Sequence, residues 1–155
     1  MKYTTLEELN NLTNRIIHEA VAVHQELGPE LFEKIYQRCL QIALEQVGMR
    51  VEAEIPLPVA FRGHLIDDAG YRLDLLVEDT VILEIKSAKD NEVFEKQLIT
   101  YLRLANKPCG LVLNFNKPRL TQGITRIKNG YLQAEPNTVP HRVTESQRNT
   151  EGLKD

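Results

Sequence analysis

The spacing of apolar residues along this chain changes near Gly48, and that change restricts the fold more than any other feature. Before it, Leu6, Leu9, Leu12, Ile16, Ile17, Ala20, Val23 and Leu27 recur at helical spacing, and Leu31, Ile35, Cys39, Ile42 and Leu44 continue the pattern. Thr4 or Thr5 can cap the first helix, and Gly28 with Pro29 ends it. Pro29 also suits the first position of a second helix, with Glu30 in its first turn. From Arg50 the period becomes two, as Val51, Ala53 and Ile55 alternate with charged residues. Three strands fit, near 50 to 61, 65 to 77 and 80 to 87, with Gly63 and Glu78–Asp79 as turns. Pro56 and Pro58 confine their segment to an edge or a bulge. A helix from about Glu92 to Asn106 ends at Lys107 and Pro108, and the apolar run Cys109 to Phe115 reads as a central strand covered on both faces. This order predicts an α/β fold with α+β-like order, in which a mixed central sheet of about four strands is flanked by helices.

Within that framework two charges are out of place. Glu84 and Lys86 lie two residues apart in Val81-Ile82-Leu83-Glu84-Ile85-Lys86, so they share one strand face while Leu83 and Ile85 fill the other. Asp74 interrupts the apolar run of the preceding strand. Burying a carboxylate costs several kcal/mol unless a cation, a metal or hydrogen bonds compensate it. Two carboxylates and a lysine on paired strands supply what a divalent ion and an activated water require. Oxygen-only ligands favour Mg²⁺ or Mn²⁺ over zinc. The competing reading is an internal salt-bridge ladder, with Glu84 paired to Arg72 or Lys86.

The remaining composition narrows the choice. The chain has 155 residues, enough for one domain with a core of its own. Its apolar runs are too short to span a bilayer, and its start lacks a basic segment followed by an apolar one, so we expect no membrane association and a cytoplasmic location. Cys39 and Cys109 show neither metal-site nor disulfide-framework spacing. The net charge of −3 hides a stretch, residues 103 to 130, with six Lys or Arg and no Asp or Glu. It is either a phosphate-contacting surface or a solvated face. His18 and His24, six apart on one helix, do not make a zinc site, and His64 has no local partner. Residues 131 to 155 have little apolar periodicity, so a domain over 1 to 130 with a mobile polar tail is expected.

Two helical features join the strand charges. Gln97 and Tyr101, four apart, stack on one face of the helix that follows the strands, and Glu33 precedes Tyr36 by three residues on the second helix. Asp74, then Glu84-Ile85-Lys86, then Gln97-x-x-x-Tyr101 resembles the PD-(D/E)XK nuclease superfamily, including the Gln-x-x-x-Tyr element of its RecB-like branch. The run from His24 through Gly28-Pro29-Glu30-Leu31-Phe32-Glu33 to Tyr36 is similar to the signature of the GxxExxY protein family within it. That similarity continues through Pro56–Val59, Tyr71–Val77 and Leu113–Asn116, over roughly residues 10 to 130. Glu30 stands where the signature has glycine.

The resemblance implies a restriction-endonuclease-like core and a Mg²⁺- or Mn²⁺-dependent hydrolysis of phosphodiester bonds in DNA or RNA. It implies that Asp74 and Glu84 hold the ion, with Glu33 as a further ligand or water-orienting carboxylate. Lys86 would position the nucleophile, Gln97 would support the lysine or the substrate, and Tyr101 would contact a phosphate. Two other readings stay open: a nuclease fold turned non-catalytic nucleic-acid or protein-binding module, and a structural oligomer. The apolar first helix leaves room for a homodimer.

Overall fold

The computed structural model describes residues 3–66, 70–89, 92–130 and 147–149. Helices α1 (Leu6–Leu27) and α2 (Glu33–Gln46) precede strands β1 (Val51–Pro56), β2 (Val59–Phe61), β3 (His64–Ile66), β4 (Arg72–Val77) and β5 (Val81–Lys86). Helix α3 (Glu92–Ala105), β6 (Cys109–Asn114), a 3-10 turn (Leu120–Gly123), β7 (Ile124–Lys128) and β8 (Gln147–Asn149) follow. The main sheet has six strands in the order β1-β4-β5-β6-β7-β8, more than the four or so expected. Among the described residues only β5 and β6 pair in parallel, which requires a crossover, and α3 supplies it. The result is the mixed α/β architecture that the periodicity predicts.

Each helix forms for an identifiable reason. Thr5 caps α1: its hydroxyl accepts from the Glu8 N–H at 3.1 Å, and the Glu8 carboxylate accepts from the Thr5 N–H at 3.1 Å. Such a capping box contributes about 1 kcal/mol. Gly28, at φ 76°, ends the helix with its N–H on the His24 carbonyl. The expectation that α2 starts at Pro29 fails. The helix starts at Glu33, and Glu30 takes a left-handed φ of 72°. The reason is tertiary: the Tyr36 hydroxyl donates to the Gly28 carbonyl and accepts from the Leu31 N–H at 3.1 Å. Those backbone groups are thereby satisfied in a loop. Tyr36 itself is fully buried, stacked on Phe115 with ring centres 4.3 Å apart.

The region expected to form three strands contains five. After Pro56 the chain leaves the main sheet, and β2 with β3 forms a separate hairpin. Its turn residues Arg62 and Gly63 both have positive φ, the hairpin geometry that matches strand twist. Strand β7 is not marked by periodicity, because Thr125, Arg126 and Lys128 break its apolar pattern. Arg126 is buried, and its guanidinium donates to the side-chain oxygens of Asn10 and Asn14. The basic stretch is therefore divided, with Arg126 turned inward and Lys107 paired to Asp79 at 2.9 Å.

The sheet is covered on both sides. Leu75, Leu83, Ile85, Leu111 and Leu113 pack against α1 and α2, whereas Leu76, Ile82, Val112 and Ile127 pack against Leu98, Tyr101 and Leu102 of α3. Gly110 lets α3 approach: a Cβ there would lie 2.8 Å from the Leu98 side chain and 2.9 Å from the Ile82 carbonyl. His24, whose spacing from His18 does not suit a zinc site, is buried with its ring nitrogen beside the carbonyls of Phe115 and Lys117. Among the described residues no helix is long and apolar enough to cross a membrane. The expected tail lies outside the described residues, apart from Gln147–Asn149, which pairs with β7.

Candidate active site

Strands β4 and β5 pair Val77 with Val81, Leu76 with Ile82 and Leu75 with Leu83. One further step of this register sets Asp74 opposite Glu84. The regular ladder stops there, and carboxylates take over the backbone donors: the Ile85 N–H donates to Asp74 Oδ2 at 2.9 Å, and the Asp74 N–H lies 3.5 Å from Glu84 Oε1. Lys86 Nζ is 3.9 Å from Glu84 Oε2, so the strand period places both on one face, toward α3. Arg72, the other partner considered for Glu84, lies 4.0 Å from Glu54 instead.

The energetics of this pair are unfavourable as it stands. Glu84 is 2% exposed, and burial together with the Asp74 charge pushes its carboxyl up to about 8. Burial also raises Asp74, despite the Ile85 N–H and the Lys86 charge. One ammonium group at 3.9 Å does not balance both acids in their charged form, so at neutral pH the metal-free site keeps a proton on the pair that a bound cation would displace. The donor set fits a hard divalent ion.

Helix α3 closes the other side. Gln97 Nε2 donates to the Tyr101 hydroxyl at 2.7 Å, as their spacing of four residues allows. Tyr101 is 4% exposed and meets the ring of Tyr71 edge-on at 5.8 Å. Burial, then the Glu84 charge, raises its hydroxyl, so the proton is held more tightly than in water. Lys86 Nζ lies 4.7 Å from the centre of the Phe94 ring, a cation–π contact that helps fix the ammonium group.

Glu33 stands apart from Asp74 and Glu84. It is exposed in the first turn of α2, at the lip of a cleft of about 500 Å³ that Asp74, Ile85 and Lys86 also line. Its charge adds to the upward shift of Glu84. No three His, Cys, Asp or Glu side chains form a ready metal-binding group among the described residues. The fold thus joins Asp74, Glu84 and Lys86 directly, pairs Gln97 with Tyr101 beside them, and leaves Glu33 at the mouth.

Two residues of this region escape sequence reasoning. Glu54 occupies the β1 position between the pairs Ala53–Leu75 and Ile55–Leu73, hence opposite Asp74, with φ 55°. The chain faces switch at this point: Ala53 and Leu75 pack toward α1 and α2, whereas Ile55 and Leu73 join the α3 side. The Glu54 carboxylate is bonded to Lys34 and to Gln37 Nε2, the latter at 2.8 Å, and these bonds lower its pKa. No local signal marks a left-handed glutamate inside an alternating strand. The second residue is Asn114, fully buried beside Lys86 in the β5–β6 register. Its amide oxygen accepts from the Ala88 N–H at 3.2 Å and its Nδ2 donates to the Ala88 carbonyl at 2.7 Å, pinning the chain just past Lys86. A polar residue ending the apolar run Cys109–Leu113 is the signal that could have found it.

Neither a curated protein nor a solved structure gives a significant match to this chain. A family model of the PD-(D/E)XK nuclease superfamily matches residues 10–127, a span that takes in most of α1, the paired acids, α3 and nearly all of β7. With most of its length matched, and with an acid pair and a lysine on adjacent strands of a mixed sheet, the chain belongs to the PD-(D/E)XK nuclease superfamily.

Proposed function

We propose that this protein is a divalent-metal-dependent nuclease hydrolysing phosphodiester bonds in DNA or RNA, of the GxxExxY group and with the Gln-x-x-x-Tyr element of the RecB-like branch. The observation that carries this reading is the juxtaposition of half-buried Asp74 and buried Glu84, with Lys86 as the cation beside Glu84 and Lys34 at the edge of the same cleft. Asp74 and Glu84 would hold Mg²⁺ or Mn²⁺, with Glu33 completing the set from the cleft mouth or orienting water there. When bound, the ion supplies charge stabilisation on the scissile phosphate and lowers the pKa of water at the site. Lys86, held by Glu84 and the Phe94 ring, orients the attacking water and stabilises charge developing on the phosphate oxygens. Tyr101 keeps its proton and donates toward a phosphate oxygen, with Gln97 fixing the hydroxyl. Hydrolysis adds water across one P–O bond, so no other co-reactant is required.

Calorimetric titration with Mg²⁺ or Mn²⁺, beside cleavage assays on single- and double-stranded DNA and RNA, tests this reading. The wild type should bind the ion and cut at least one substrate, and Asp74→Ala should lose both properties. A wild type that neither binds metal nor cleaves overturns the proposal.

A further inference from the structure

Phe32 is the N-cap of α2, and its side chain makes no capping hydrogen bond. That position favours Ser, Thr, Asp or Asn, which contribute about 1 kcal/mol, and α1 of this chain uses Thr5 in that way. Nor does the ring serve the core. It is 83% exposed, so the roughly 1.5–3 kcal/mol that burying a phenylalanine yields is largely forgone. Its neighbour Leu31 packs on the core, so the chain does not lack an inward anchor here. Helix formation and folding therefore leave the aromatic ring at position 32 unexplained.

Its location supplies a reason. Phe32 forms the lip of the cleft that contains Glu33, Asp74 and Lys86. We infer that Phe32 is a stacking platform for a nucleobase beside the scissile phosphate, so that the preferred substrate is a nucleic acid with an unpaired, unstacked base at the cut site. The inference rests on the nuclease reading and adds the substrate class to it. A flat apolar ring at the rim of a charged cleft matches a ligand with a π-face on a charged backbone. Ile35 and Ile42 on the same helix are also exposed, at 42% and 40%, but neither lines the cleft, so a protein partner on that apolar face would not engage Asp74 and Lys86. A base inside a continuous duplex offers no free face to the ring, hence the requirement for a single strand, a frayed end or a displaced nucleotide.

The test uses short oligonucleotides carrying 2-aminopurine, single-stranded and duplex, as DNA and as RNA. Binding is read by anisotropy and by base fluorescence with full-length protein in EDTA, in a Glu84→Gln background that holds position 84 uncharged at every pH. Phe32→Ala should weaken single-strand binding roughly 5- to 100-fold and remove the fluorescence change, while Phe32→Trp retains both. Duplex binding should change by less than about 3-fold, since phosphate contacts dominate it. In the catalytic background the alanine variant should raise KM with kcat nearly unchanged. Equal binding and fluorescence in Phe32→Ala, with wild-type cleavage intact, overturn this inference and leave the nuclease reading standing. An altered sedimentation coefficient in Phe32→Ala with unchanged oligonucleotide binding overturns it in favour of a protein contact. Absence of cleavage in the wild type counts against both.

Discussion

Replacing Glu84 by Gln should stabilise the metal-free protein at neutral and alkaline pH, the opposite of what removal of a buried ion-paired residue ordinarily does. Glu84 has its carboxyl raised from 4.5 in the unfolded chain to about 8 in the folded one, through burial and then the Asp74 charge. A carboxyl raised on folding contributes no penalty below its unfolded pKa, and destabilises progressively as pH rises toward the folded value. The linkage relation gives a penalty of roughly 3 kcal/mol at pH 7 and about 5 kcal/mol above pH 9. Set against a typical folding stability of about 5–15 kcal/mol, that is a large effect. Glutamine keeps the volume, carries no charge, and can donate its amide hydrogens to the Asp74 carboxylate. Asp74 is present in both proteins, so their difference reports the loss of one carboxylate from a pair that titrates jointly. The measurement is urea unfolding in EDTA from about pH 5 to about pH 9. The variant should match or fall below the wild type at the acid end and exceed it by about 3 kcal/mol near neutrality. Adding Mg²⁺ should reverse the order, because only the wild type binds it well and gains stability by mass action. A difference that stays flat across this range, or a variant less stable at pH 8, would refute the claim that Asp74 and Glu84 form an undercompensated acid pair.

Two other expectations follow from backbone geometry. Glu30 holds φ 72°, where a side chain costs about 1–2 kcal/mol, so Glu30→Gly should raise stability by about 0.5–1 kcal/mol after the added freedom of the unfolded chain is discounted; thermal unfolding decides it, and a lowered Tm would count against the strain. Gly110→Ala would drive a methyl group to 2.8 Å from Leu98 and 2.9 Å from the Ile82 carbonyl, so denaturant unfolding should show a loss of about 1–3 kcal/mol, and a neutral result would mean that α3 lifts freely from the sheet.

The parts of this fold legible in sequence are those set by local pattern. The capped and terminated α1, the turn at Glu78–Asp79 and the fully buried β6 all follow from periodicity and turn chemistry. Asp74, Glu84 and Lys86 were legible because charge on a buried strand face is costly, and their convergence follows from the strand period. What escaped depends on partners remote in sequence. The start of α2 is moved by a tyrosine hydroxyl reaching back to Gly28, and β7 is obscured by an arginine whose partners, Asn10 and Asn14, lie more than a hundred residues earlier.

Glu54 is the deepest case of this kind, because its effect passes from backbone to site. A left-handed non-glycine residue inside a strand costs on the order of 1–2 kcal/mol and persists only where its surroundings hold it. Here the holders are Lys34 and Gln37, one and four residues beyond Glu33 on α2. The same residue sits opposite Asp74, at the point where both strands exchange faces and the Asp74 carboxylate turns to the Ile85 N–H. Glu54 therefore ties the N-terminal turn of α2 to the strand position that carries Asp74. This link joins the element that carries Glu33 to the strand position of Asp74, and the positive φ at Glu54 is part of the physical cost of holding the two elements together.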